Sequence, residues 1–160
     1  MVFHSARENY GRCELLHSGK IVLPGVHLEG KILFRAGNID YIVHAAAVTT
    51  SKDMVRCPAD NIRVAILGTM NVLELALEKH AAGVVYVSSM EVYGSMTGSE
   101  ADMPVTEDRL GFVDLTSARS CYPEGKRMCE CLCGAFVHQY SLHITTVRLA
   151  QRSEEHTSEL

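Results

Sequence analysis

Three short apolar runs alternate with two long amphipathic segments over most of this chain. The apolar runs cover residues 40–47, 83–89 and 144–150, and their length and composition favour buried parallel strands. The amphipathic segments, about 59–80 and 123–140, place apolar residues three and four positions apart, which predicts helices. Strands that alternate with helices in this way are typical of an α/β protein with a doubly wound parallel sheet.

Two other stretches are less regular. Residues 20–23 and 31–34 are candidate short strands, separated by a turn signal at Pro24-Gly25. Residues 93–119 form a long connection that holds glycines, a proline and several acidic residues. Long loops over a sheet are often functional, so we expect this one to border a site.

The composition argues against two classes of partner. The 160 residues carry a net charge of −4 and their lysines and arginines do not cluster, so no nucleic-acid partner is expected. No apolar run reaches the ~18–20 residues of a membrane span, and the first residues lack the pattern of a signal peptide. We therefore expect a cytoplasmic protein without membrane or nucleic-acid partners.

Six cysteines raise the question of disulfides or a metal site. Cys129, Cys131 and Cys133 lie in one predicted helix, where positions two apart point about 200° from each other, so their sulfur atoms cannot converge on one ion. The other three are scattered, and no secretory signal precedes them. We therefore expect reduced thiols, small buried side chains in the crowded segment, and no metal.

Polar residues follow the predicted strands. They occur at residues 44–50, 88–91 and 150–151, each at the carboxyl end of a strand. Ligands of open α/β sheets bind beyond the carboxyl ends of the strands, so we expect the functional site at this edge.

Tyr122 and Lys126 are four residues apart at the start of a predicted helix, which places them on one helix face. An ammonium beside a phenol favours the phenolate and lowers its pKa, so that the phenol can take a proton from a sugar hydroxyl near neutral pH. Ser89 ends the preceding strand and could contact the same substrate atom. The alternative is a surface tyrosine beside a solvated lysine.

Ser89, Tyr122 and Lys126 together have the order and setting of the catalytic group of short-chain dehydrogenases/reductases. Residues 40–151 resemble the extended branch of that superfamily, the NAD-dependent epimerase/dehydratase family, whose members act on nucleotide sugars. The resemblance implies a Rossmann-type sheet, NAD as the cofactor and a UDP-sugar as the substrate. It rests on four blocks in the right order: His44–Ala47, Gly68–Leu73, Ser88–Gly94 and Tyr122–Arg127.

One block is similar to a particular branch of the family. Residues 121–127 resemble the motif of UDP-glucuronate decarboxylases, although Pro123 stands where those enzymes have Asp. Glu91 matches a Glu of both decarboxylases and 4,6-dehydratases. Met90 replaces the Asp with which dehydratases protonate the leaving hydroxyl, and methionine has no proton to donate. The resemblance therefore implies decarboxylation through a 4-keto intermediate, with a 4-epimerase or a 4,6-dehydratase as alternatives.

The resemblance assigns roles to the matching residues. Tyr122 is the base that deprotonates the C4 hydroxyl of the sugar, while Lys126 lowers the pKa of Tyr122 and holds the nicotinamide ribose. Ser89 hydrogen-bonds the reacting oxygen, and Glu91 is a polar group of the sugar pocket. Gln151 stands where the family often has an Asn that contacts the substrate, so this sequence departs from the family pattern there.

The same resemblance implies a cofactor-binding set. Ala45, Ala46 and Ala47 let the backbone approach the cofactor closely, and Ser88 lines the nicotinamide side. Plain helix–sheet packing is the alternative interpretation of the alanine run. Ala65 is a departure, because the family usually has Asn there. Arg7 could meet the adenosine end of the cofactor, with a solvated terminal charge as the alternative.

A dinucleotide site also needs a Gly-rich turn where the pyrophosphate meets a helix N-terminus. Gly11, Gly19, Gly25 and Gly30 do not form that pattern. We therefore expect residues 1–151 to be an incomplete NAD-binding domain, cut at both ends, without the first strand and Gly-rich loop. That strand is central in such sheets, so we expect the isolated chain to be unstable and to bind NAD weakly.

Residues 152–160 form a polar tail that breaks the preceding pattern. The tail resembles a translated sequencing adaptor, so we expect it to carry no function; a genuine solvated tail is the alternative.

Two further hypotheses concern the whole molecule. A non-catalytic Rossmann scaffold is favoured by the absent glycine pattern, whereas Ser89, Tyr122 and Lys126 argue against it. The resemblance also implies that the full-length enzyme is a homodimer packed through the two long helices.

Overall fold

A computed structural model describes residues 26–28, 31–33, 39–48, 50–98 and 104–150. Strands β1 (Val26–Leu28) and β2 (Lys31–Leu33) form an antiparallel pair in which Val26 lies opposite Leu33. The strand predicted at 31–34 is thus confirmed, and β1 was not predicted. The predicted strand at 20–23, Arg7, Gln151 and the tail 152–160 lie outside the described residues.

A separate parallel sheet contains the three strands that the apolar runs predict. Its strands are β3 (Tyr41–His44), β4 (Gly83–Ser89) and β5 (Ile144–Leu149), and they lie side by side in chain order. Tyr41 pairs with Gly83, and Val84 pairs with Ile144, so all three carboxyl ends reach the same edge of the sheet. The predicted α/β architecture with a partial Rossmann-type sheet is confirmed.

Three helices accompany the sheet. The short α1 (Ser51–Arg56) follows β3, α2 (Pro58–Glu78) leads to β4, and α3 (Cys121–Tyr140) leads to β5. Pro58 suits the first turn of α2, where its missing N–H costs no hydrogen bond. The two long helices were predicted within two residues at each end. The six-residue α1 was missed because one and a half turns are too short to show helical periodicity.

The core lies between one face of the sheet and the two long helices. Alternate residues of the strands, including Ile42, Val84 and Tyr86, point into it, and they meet apolar residues of α2 and α3 such as Leu73 and Phe136. Both long helices therefore cover the same face of the sheet.

The expectation of buried strands is wrong for one face of the sheet in the described part of the chain. Tyr41 of β3 is 67% exposed, and Val147 and Leu149 of β5 are also exposed. An apolar run shows that a strand can be buried, but it does not show whether a second layer covers its other face.

The cysteines differ from the expectation at two positions. Cys121, Cys129 and Cys133 are free and buried, but the free thiol of Cys131 is exposed, because it points away from its neighbours on the helix. Cys57 is disulfide-bonded, so the prediction that all thiols are reduced is wrong there. Sequence spacing cannot show which cysteines a fold brings together.

The described residues contain no group of three potential metal ligands close enough to hold an ion. Within the same ranges, no helix combines the length and the apolar character that crossing a membrane requires.

Candidate active site

Ser89 ends β4 and begins the polar edge of the sheet. It has an extended backbone, and its Oγ accepts a hydrogen bond of 3.2 Å from the backbone N–H of Glu91, which caps the 3₁₀ helix Met90–Tyr93. Because Oγ is an acceptor in that bond, the hydroxyl proton of Ser89 remains available. The Ser89 side chain also lies close enough to the phenol of Tyr122, 33 residues later in sequence, to lower its pKa. The fold thus brings together two of the predicted site residues.

Tyr122 lies in the first turn of α3 and is partly buried. Burial is the largest influence on its phenol and raises the pKa, while the contact with Ser89 lowers it. The carboxylate of Glu91 raises the pKa and the guanidinium of Arg119 lowers it, with a net rise. The role of Lys126 in lowering the pKa of Tyr122 stays a prediction.

Lys126 is buried beside Tyr122, with its charge directed toward β4. Its side chain is only 5% exposed, and Nζ donates a hydrogen bond of 2.7 Å to the backbone oxygen of Val87 in β4. Nζ lies 4.9 Å from the ring centroid of Tyr86 and 5.9 Å from that of Tyr122. Burial lowers the pKa of Lys126. Helical spacing puts Tyr122 and Lys126 on one face, as predicted, but it does not fix where a long side chain directs its charge.

Arg119 is a site residue that the sequence analysis missed. Nη2 of Arg119 forms an ion pair of 2.7 Å with Oε1 of Glu91, and Cζ lies 5.5 Å from the ring centroid of Tyr122. The available signal was a cation three residues before the candidate base. Nothing in the sequence pairs that cation with a carboxylate 28 residues earlier.

His44, at the end of β3, connects to the middle of α2 and α3 through a buried hydrogen-bond chain, which the sequence also did not indicate. Its Nε2 lies 3.0 Å from Oγ1 of Thr69, which donates to Sγ of Cys129 at 3.2 Å. The Cys129 thiol in turn donates to the backbone oxygen of Ala65. Since the Thr69 proton is used in the bond to sulfur, Nε2 of His44 must be the donor and Nδ1 carries no proton.

The proton assignment agrees with the electrostatics. Burial, followed by the positive charge of Lys126, lowers the pKa of His44 to about 4, so the imidazole is neutral at physiological pH. Among the described residues, the buried Nδ1 atom has no hydrogen-bond partner. It is therefore an acceptor that a ligand group could satisfy.

The residues at this edge fit a dinucleotide cofactor. Ala45 is exposed and Ala46 and Ala47 are half-buried, so none of them belongs to the core of the described residues. Within the described part of the chain the ammonium of Lys126 has one acceptor for its three donors, which leaves N–H groups for a ribose diol. NAD requires such donors together with backbone that is free of bulky side chains.

Ser88 lies next to this set. It is 4% exposed, and its hydroxyl contributes to the environment of Glu130. Burial raises the pKa of Glu130, but the hydrogen bonds and charge of Arg148, with the nearby Ser88 side chain, outweigh burial and the pKa falls. The carboxylate of Glu130 binds the Arg148 guanidinium at 2.7 Å, which ties α3 to β5 beside the site.

Comparison with known proteins gives a consistent result. The model of the NAD-dependent epimerase/dehydratase family matches residues 29–153. UDP-glucuronic acid decarboxylase 1 of Danio rerio is 31% identical over 111 residues, which make up 69% of this chain and 25% of that protein. UDP-glucuronic acid decarboxylase 6 of Arabidopsis thaliana is 32% identical over 111 residues, 69% of this chain and 31% of that protein.

A solved structure shows the same fold. RMD from Pseudomonas aeruginosa, complexed with NADPH, superposes with a TM-score of 0.60 and 25% identity, covering 70% of this chain and 36% of that one. The chain thus spans between 25% and 31% of the length of the two decarboxylases that it matches.

Proposed function

The chain belongs to the NAD-dependent epimerase/dehydratase family, and we propose that it serves the NAD-dependent decarboxylation of UDP-glucuronate. The observation that carries the proposal is the contact between Ser89 and Tyr122 at the carboxyl edge of the sheet, with Lys126 buried beside them. The similarity to two UDP-glucuronic acid decarboxylases supports the choice of substrate.

The proposed chemistry begins at the C4 hydroxyl of the sugar. Tyr122 takes the hydroxyl proton, and Ser89 donates its free O–H to the same oxygen, where negative charge develops. NAD, when bound, supplies the acceptor for the hydride that leaves C4.

Decarboxylation then follows from the substrate's own structure. With C4 a ketone, the C6 carboxylate is β to a carbonyl, and the bond between C5 and C6 can break with release of carbon dioxide. The electron pair moves onto the C4 oxygen as an enolate. Ser89 and the now protonated Tyr122 both donate to that oxygen and stabilise its charge. Protonation of C5 by water would restore the ketone. Return of the hydride to C4, with transfer of the Tyr122 proton to the C4 oxygen, would then give the UDP-pentose and leave NAD as it began.

Other residues hold the reactants in this proposal. Lys126 binds the nicotinamide ribose, Ser88 lines the nicotinamide side, and residues 45–47 allow the cofactor to approach the backbone. Glu91, fixed by Arg119, faces the sugar, and Gln151 contacts the substrate. Met90, at the position that would need an acid for dehydration, is 42% exposed and cannot supply a proton.

Product analysis tests the proposal. The protein is incubated with NAD and UDP-glucuronate, and we expect carbon dioxide and a UDP-pentose. Tyr122→Phe should lower the turnover rate by about 100-fold or more, because a general base accelerates a reaction by roughly 10²–10⁴-fold. The affinity for NAD should stay unchanged. Tyr140→Phe, the same change at the exposed end of α3, is the matched control and should leave turnover unchanged.

Three results would contradict the proposal in different ways. A C4 epimer as the product from a UDP-hexose would identify a 4-epimerase, and a 4-keto-6-deoxy sugar would identify a dehydratase. Retained NAD binding with no turnover of any of these substrates would favour the non-catalytic scaffold.

We propose further that the enzyme is a homodimer packed through α2 and α3. Met128, Cys131 and Ala135 lie along one stripe of α3 at spacings of three and four, and all three are exposed. Leu67 of α2 is 50% exposed. Apolar side chains on a solvated helix face favour contact with a second apolar surface.

A cytoplasmic location completes the proposal. It is supported by the free thiols of Cys121, Cys129, Cys131 and Cys133, with the disulfide-bonded Cys57 as the exception. The net charge of −4 does not favour nucleic acid as a partner.

A further inference from the structure

Arg119 contacts both the Glu91 carboxylate and the ring of Tyr122, the proposed base. It lies in the 3₁₀ turn Ala118–Ser120, directly before α3. One side of its guanidinium binds the Glu91 carboxylate at 2.7 Å, and Cζ lies 5.5 Å from the Tyr122 ring centroid. The Lys126 ammonium is further from that ring, at 5.9 Å, and it is directed to the Val87 carbonyl.

We propose that Arg119 is a positioning residue that holds the Glu91 carboxylate in an ion pair beside Tyr122 and places a positive charge of its own next to the phenol ring. In this arrangement Arg119 neutralises Glu91 and adds a second cation beside the Tyr122 ring, near which Lys126 also lies. The inference deepens the proposed function, because it rests on Tyr122 as the base.

The charges around Tyr122 oppose one another. Glu91, from the turn after β4, stabilises the neutral phenol, and Arg119, from the turn before α3, stabilises the phenolate. Lys126, one helical turn further along α3, is the third charged group near the ring. Removal of Arg119 would therefore have two effects in the same direction, since it deletes a cation and leaves the Glu91 carboxylate unneutralised.

Titration of Tyr122 measures this effect without substrate or NAD. Tyrosines are replaced by 3-fluorotyrosine, whose phenol ionises at a lower pH, so that the titration ends before alkaline unfolding. The ¹⁹F signal of residue 122 is the one that Tyr122→Phe removes. Circular dichroism at each pH checks that the chain stays folded.

The variants have distinct expected outcomes. Arg119→Gln should move the titration midpoint to higher pH, and Glu91→Gln should move it to lower pH. Arg119→Lys, which keeps the charge, should titrate close to the parent protein. Arg63→Gln is the matched control, because it removes one guanidinium that pairs with Asp60 on the exposed side of α2, and it should leave the midpoint unchanged.

An unchanged midpoint in Arg119→Gln would overturn the inference, and so would an equal shift in Arg63→Gln. If the Tyr122 midpoint shifts as expected but no preparation decarboxylates UDP-glucuronate, the result contradicts the proposed function and supports the inference about Arg119. With turnover present, activity on the acidic side of the pH profile should fall about tenfold for each unit that the midpoint rises.

Discussion

His44 shows how one buried side chain can fix its own protonation. Its Nε2–H donates to Thr69, whose own proton goes to Cys129, so a proton on Nε2 is required by the chain of bonds. A second proton, on Nδ1, would place a positive charge in a buried site near the Lys126 ammonium. Both effects lower the pKa of His44 to about 4, and the native protein therefore holds a neutral imidazole.

That pKa predicts how stability depends on pH. The folded pKa of His44, about 4, is below the ordinary histidine value of 6.5, so the unfolded chain binds the extra proton more readily. The contribution of neutral His44 to the free energy of unfolding is fully present above about pH 6.5 and is lost as the pH falls toward 4. We expect it to contribute a slope approaching 1.4 kcal/mol per pH unit in that range, by order of magnitude.

Denaturant unfolding between pH 4 and 7 measures this slope, and His44→Gln should remove its share of it. His138→Gln is the matched control, because His138 lies on the exposed side of α3. If His44→Gln retains the full slope of the parent protein, the assignment to His44 is wrong.

Single residues of the site could be predicted from sequence only where a local rule applies. Ser89 follows from its place at the end of an apolar run, and Tyr122 and Lys126 follow from helical spacing. The direction of the Lys126 charge toward Val87 depends on burial, which spacing does not contain. Arg119 and Thr69 were missed because their partners are 28 and 25 residues away in sequence.

The contact between α2 and α3 depends on small side chains. A Cβ atom placed on Gly125 would lie 3.5 Å from Cβ of Ala65, which is ordinary van der Waals contact. One methyl group therefore fits between the helices, and a larger side chain does not. Because Gly125 lies between Tyr122 and Lys126, this close approach also determines how near the site residues come to α2.

Two substitutions at Gly125 should have opposite effects on the free energy of unfolding. Gly125→Ala should stabilise the protein by about 0.5–1 kcal/mol, because alanine loses less backbone entropy in a helix. Gly125→Leu should destabilise it by about 1–3 kcal/mol, because the side chain must push α2 and α3 apart.

Gly134 provides the control for this pair. It lies in the same helix, but a Cβ atom there would meet nothing within 4 Å. Gly134→Leu should therefore be neutral or stabilising in a thermal melt. Equal destabilisation by leucine at both positions would show that the contact with Ala65 is not the cause.

At the level of elements, the hydrophobic pattern was sufficient for the long helices, through its periodicity, and for the strands of the parallel sheet, through short apolar runs. It failed for α1, which is six residues long, and for β1, which has three residues. It also could not indicate that β5 has exposed apolar residues, since burial of the second face depends on what packs there. The local pattern therefore predicts whether an element is a helix or a strand better than it predicts what packs against that element.

The whole molecule has two different apolar surfaces left open in the described part of the chain. One is the outer side of α2 and α3, which includes Leu67 and Met128. The other is the second face of the sheet, where Tyr41 and Val147 are exposed. In a doubly wound sheet helices cover both faces, so the two surfaces call for different partners: further chain on the sheet, and a second copy on the helices.

This distinction makes the proposed dimer testable by the choice of substitution. Met128→Glu places a charge on the proposed helical interface, and we expect the protein to become monomeric in light scattering behind a sizing column, because an unpaired buried carboxylate is costly. Leu115→Glu is the control, since Leu115 is 75% exposed on the loop before α3 and should leave the dimer intact. Val147→Glu tests the other surface. If Val147→Glu separates the copies while Met128→Glu does not, the chains associate through the sheet, and the helical dimer is wrong.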